Sequence, residues 1–152
     1  MFSFYLVLLY VHILAAIVAV GSNITYGVWS VLARQEPAHF GFALKGIRFL
    51  DNRIANPAYG VLLVTGLVMV VVSKLSILSL WIVIALVLFV AVTVIGVAYF
   101  SPLVKNQLRL VDAGDTSSAE FERLSRRNAL IGPLLGVIVL VILAMMVFKP
   151  TL

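Results

Sequence analysis

Hydrophobic positions run along this chain in long blocks rather than in alternation. From Phe2 to about Ala33 there is no formal charge. Three further apolar blocks cover about residues 57–73, 78–102 and 128–148. A helix that crosses ~30 Å of hydrocarbon at 1.5 Å per residue needs ~20 mainly apolar residues, and each block meets or approaches that length. The pattern predicts an all-α fold: a polytopic membrane four-helix bundle, formed as one domain over residues 1–152. The first block is read as a retained helix and not as a signal peptide. It lacks a basic leading segment, and its apolar run is about twice the length of a signal core.

The connections have periods of their own. Between the first and second spans, from Ala38 to Asn56, Phe40, Leu44, Ile47, Leu50 and Ile54 recur at helical spacing, with Lys45, Arg48 and Asn52 on the other face. This predicts an interfacial amphipathic helix between spans one and two, its apolar side broadened by Phe42 and Phe49. Between spans three and four, Asp112-Ala113-Gly114-Asp115 reads as a turn. Ser117 with Glu120 fits a capping box that starts a helix near Ser118. Span three is expected to continue past Pro102 to about Leu110. The short connection Lys74–Ser79 makes spans two and three antiparallel neighbours.

Composition fits the same class. The 152 residues are 63% apolar and 11% charged, against roughly 45–50% apolar in soluble domains. A soluble enzyme, a disordered chain and a nucleic-acid-binding domain are excluded as classes. Without cysteine there is no disulfide framework, iron–sulfur site or thiolate zinc site. The net charge of +5 is a topology signal. Nine of the eleven Lys and Arg residues fall in the links between spans one and two and between spans three and four. By the positive-inside rule those links are cytoplasmic and both termini lie outside, in a cytoplasmic (inner) membrane. Anionic lipid head groups at the cytoplasmic face are the partners such charges expect, with no nucleic acid.

No Asp, Glu, Lys or Arg falls in a span core, which argues against a proton pump, an antiporter or a voltage sensor. His12 is the one ionisable side chain deep in the bilayer. Its ring N–H needs a partner, and two readings stay open. It bonds a neighbouring helix, at Thr65 or Thr93 for instance, or it is an axial ligand to haem b in the bundle core. Quinone binding is a third reading. Met69 reaches a similar depth in the antiparallel span and is the candidate opposite ligand, although methionine is also a common core filler. Met145 and Met146 are poorer candidates, and His39 lies in a link. The polar stretch Gly21–Gly27 reads either as close helix packing or, through Asn23 and Tyr26, as the lining of a cofactor or substrate pocket. Gly132, Pro133 and Gly136 suggest a kink.

Tyr10-Val11-His12-Ile13-Leu14-Ala15-Ala16, Gly21, and Asn56-Pro57 leading into Leu63-Val64-Thr65-Gly66-Leu67 resemble a family of predicted bacterial four-helix integral membrane proteins without an assigned function. More distantly, the chain is similar to the copper-resistance D membrane domain and the membrane-embedded haem-containing protoporphyrinogen oxidase. The resemblance to the oxidase implies haem binding at His12. The chain lacks the basic intramembrane residue and the additional histidines of those relatives, so it implies neither oxidase activity nor copper transport. Two functions follow as expectations. One is a small b-type haem protein for redox or electron transfer. The other is a non-catalytic accessory subunit or assembly factor, joined to other membrane subunits or to copies of itself.

Overall fold

In a computed structural model, which describes residues 2–150, the chain forms two antiparallel helical hairpins. The first consists of α1 (Phe2–Gln35), a short 3-10 turn (Pro37–His39), α2 (Phe40–Leu50), a π turn (Asp51–Ala55) and α3 (Asn56–Val72). The second consists of α4 (Leu80–Ile95), a second π turn (Gly96–Phe100), α5 (Ser101–Asp112) and α6 (Ala119–Phe148). No strand occurs among the described residues. α1 packs along both α3 and α2, α4 and α5 pack on α6, and the hairpins join through α1 with α6 and α2 with α5.

Both π turns have the same local cause. Each ends two residues before a proline, ahead of Asn56-Pro57 in one hairpin and of Ser101-Pro102 in the other. Proline has no N–H, and its ring crowds the carbonyl four residues back. The helix relieves that crowding by widening for one turn. Asn56 N–H donates to the Asp51 carbonyl and Ser101 N–H to the Gly96 carbonyl, a five-residue reach in each case. α2 and α3 are therefore one continuous helical column, and so are α4 and α5. Pro133 is held inside α6 without such a widening.

Four long apolar helices are each able to cross a membrane by length and composition. The connecting turn at Ser73–Ser79 defines a distal end. Asp51 and Ser101 each lie about 21 residues from it along their columns, or ~31 Å, which is the hydrocarbon thickness. Beyond that depth the bundle continues as a charged end carrying Lys45, Arg48, Lys105, Arg109, Arg123, Arg126 and Arg127. Only Lys74 and Lys149 stand at the distal end, where Lys149 Nζ lies 5.6 Å from the centre of the Trp81 ring and ties α6 to α4.

The segment expected as an interfacial helix is helical, with the expected faces only in part, because Phe42, Phe49 and Ile54 are exposed. Leu44 and Ile47 are buried, Phe40 and Leu50 are partly buried, and Lys45 and Arg48 are exposed. Its placement differs. α2 runs antiparallel to the end of α1 and packs on α5, so it prolongs the bundle and has no separate course across it. An amphipathic period states which face is covered, and here a protein surface covers it. The cap of α6 also shifts by one residue. Ser118, and not Ser117, is the N-cap, and its hydroxyl accepts from Phe121 N–H at 3.2 Å.

Candidate functional site

The interhelical side-chain hydrogen bonds of the apolar half lie on the α1–α3 seam. His12 Nδ1 is 2.8 Å from Thr65 Oγ1. The Thr65 hydroxyl has one proton, which it donates to the Val61 carbonyl at 2.6 Å. It therefore accepts from His12 Nδ1–H, and this network assigns the Nδ1–H tautomer, leaving the lone pair on Nε2. Gly66 makes the approach possible. A Cβ there would stand 3.2 Å from His12 Cε1, tighter than ordinary side-chain contacts. Thr93, the other partner considered for His12, donates instead to the Phe89 carbonyl of its own helix.

The seam does not fit haem between His12 and Met69. Met69 lies four residues beyond Thr65 on the same helix, α3, that His12 presses against. A porphyrin must lie between its axial ligands, and the contact of His12 with Thr65 and Gly66 closes that space. Among the described residues no three His, Cys, Asp or Glu side chains converge as a metal-binding group.

Asn23 and Tyr26 pack closer to the charged end. The Asn23 amide donates to Tyr59 Oη at 2.7 Å and to the Ala19 carbonyl at 2.9 Å. Tyr26 is buried, and its ring stacks on Phe100 with centroids 5.8 Å apart. Its hydroxyl is buried without a hydrogen-bond partner among the described residues. Both side chains join α1 to its neighbours. Neither residue is among those that line the pocket nearest to them, beside Asp51.

That pocket is a groove of about 350 Å³ between the first column and the second. Its polar lining is Arg48, Asp51, Asn52, Ser101, Lys105 and Asn106. Asp51 and Ser101 join the two π turns across it, the Ser101 hydroxyl donating to Asp51 Oδ2 at 2.7 Å. Arg48 and Lys105 make no ion pair within 4 Å among the described residues, whereas Lys45 pairs with Asp112 at 3.3 Å. Further into the charged end, the fully buried Gln107 donates to Ser125 Oγ and accepts from the Asn128 amide, both at 3.0 Å.

Sequence reasoning missed Asp51 and the groove. The available signal was a carboxylate at the margin of an apolar helix, in the turn before Asn-Pro, together with a second helix broken by Ser-Pro.

A family described as predicted integral membrane protein, DUF2269, matches residues 6–150. The chain belongs to this family. Its description agrees with the four apolar columns and the absence of strands among the described residues, and assigns the family no reaction. No curated protein and no solved structure matches the chain.

Proposed function

We propose that this protein is a non-catalytic membrane component, an accessory subunit or assembly factor that docks on another membrane protein. One observation carries the reading. The uncharged run Phe2–Ala33 extends ~48 Å as a helix, well beyond ~30 Å of hydrocarbon. Its excess passes into the charged end, where Val28, Val31 and Leu32 are exposed. On the facing α2, Phe42 is 69% and Phe49 62% exposed. Trp29 meets Phe42 edge-on at 6.1 Å and joins the two rows. An apolar strip at the depth of head groups and water is costly to leave bare, and it suits an apolar helix of a partner subunit. The positive-inside rule supports a cytoplasmic position for this end, in the inner membrane with both termini outside.

His12 serves this reading as a fastener of the α1–α3 seam. The test exploits the cysteine-free sequence. Single cysteines at Phe42 and Phe49, carrying a photocrosslinker in native membranes, are expected to give a discrete adduct. A mass of twice the chain would identify a second copy, and another mass a separate subunit. Spin labels at these sites reporting free access to lipid or water in native membranes would overturn the docking role. A Soret band in the purified protein that disappears in His12→Ala would restore the haem reading in its place.

A further inference from the structure

The groove between the π turns holds an arrangement that the docking strip does not use. Arg48 and Lys105 line it from opposite columns, free of ion pairs among the described residues. Only one carboxylate, Asp51, shares the lining, and it accepts the Ser101 hydroxyl. Two cations against one occupied carboxylate leave the groove positive. Asn52, Asn106 and Ser101 add neutral hydrogen-bonding groups. A cation pair with amide and hydroxyl neighbours is the chemistry that recognises a phosphate group.

Its depth and continuation indicate where that phosphate comes from. Asp51 and Ser101 stand ~31 Å from the distal end, at the hydrocarbon boundary when the distal end lies at the opposite one, and Arg48 and Lys105 stand about 5 Å further out, toward the lipid phosphates. One wall of the groove is Val97. From there Val94, Val90 and Val87 continue along α4 at helical spacing, all exposed. A phosphate in the groove would thus have an apolar track beside it, leading into the hydrocarbon. A soluble phosphate compound has no use for such a track. We infer that the groove is a binding site for the phosphate head group of an anionic lipid, clamped between Arg48 and Lys105 with an acyl chain along Val97, Val94 and Val90. The site bridges the two hairpins, so an occupied groove holds them together. It shares no residue with the strip on Val28, Val31, Leu32, Phe42 and Phe49, and either assignment can fail alone.

The full chain, reconstituted with equimolar phosphatidylcholine and phosphatidylglycerol and then stripped of bulk lipid, would be examined by native mass spectrometry. The expected result is selective retention of phosphatidylglycerol. A surface cation contributes roughly fivefold to anionic lipid affinity, so Arg48→Gln and Lys105→Gln should each weaken retention by about that factor, and together by roughly thirtyfold. Asn106→Trp keeps every charge but fills the groove. It should release the lipid as well, and it stands in if the charge variants fold poorly. Arg123→Gln with Arg127→Gln, which removes two exposed cations outside the groove, should leave retention unchanged. Equal retention of both lipids would overturn the site, and so would a loss in the control pair matching that in the groove pair. Displacement of the lipid by sn-glycerol 3-phosphate at equal concentration would overturn the lipid assignment.

Discussion

The two ends of this bundle are packed by different means. In the apolar half many of the buried residues are small: Ala15, Ala19, Ser22, Ala58, Thr65 and Ala85. In the charged half, beside Ala33 and Ala43, most of them are large. Leu44, Ile47, Val104 and Gln107 are the bulkiest fully buried side chains among the described residues, Leu108 packs with the first three, and Leu103, Leu110 and Leu124 form a second cluster. The surrounding solvent explains the difference. Lipid tails are as apolar as leucine, so moving leucine from lipid into a helix contact gains little. Close backbone approach and interhelical hydrogen bonds hold the helices instead. Outside the hydrocarbon, water returns and aliphatic burial again drives association. One pair of hairpins thus uses membrane packing at one end and soluble-protein packing at the other.

The strongest challenge to that contrast is a matched pair of leucines. Leu44→Ala, in the charged half, should cost about 2–5 kcal/mol, the transfer and cavity costs together. Leu135→Ala, similarly buried in the apolar half, should lose chiefly packing, roughly 1–2 kcal/mol. Steric-trapping or denaturant unfolding in bicelles reads both, and equal costs would break the comparison.

Gln107 gives the next largest effect. Replacing it by Ala leaves a cavity and strips Asn128 and Ser125 of a buried partner, at a cost of about 1–3 kcal/mol. Gln107→Met fills most of the volume and should recover part of it. If the two variants unfold alike, the hydrogen bonds and not the volume set the cost.

A smaller effect is expected on the α1–α3 seam. His12→Ala and Thr65→Val should each cost ~1–2 kcal/mol, and a double-mutant cycle should give a coupling near ~0.6 kcal/mol, typical of hydrogen bonds between membrane helices. His12→Asn should restore part of the loss by supplying another donor. Zero coupling would mean that packing of the imidazole on Gly66, and not its bond to Thr65, fastens the seam.

The smallest change is Gly66→Ala. The added methyl would meet His12 Cε1 at 3.2 Å, so the ring must give way by a few tenths of an ångström. A modest loss of stability, under about 1 kcal/mol, should be accompanied by a change in the His12 ring resonances. Unchanged resonances would show that the seam is looser than this contact implies.

The sequence by itself determined the four apolar columns, the segregation of basic residues at one end and the helical period of 38–56. Each of these depends on residue spacing and on the cost of placing polar groups in hydrocarbon, and both are local to the chain. It also placed His12 deep among apolar residues, where a partner was required, and offered a threonine such as Thr65 or Thr93, or a haem iron, without choosing among them. Tertiary structure alone decided between Thr65 and Thr93, because it depends on which helices become neighbours. The course of α2 required it too, since an amphipathic face reads the same whether lipid or protein covers it. The groove was least visible. Asp51 and Ser101 are separated by 50 positions in the chain, and each has an ordinary place before or at the start of a proline-bearing turn. They form a site only because two proline-widened turns, in separate hairpins, meet at the same depth.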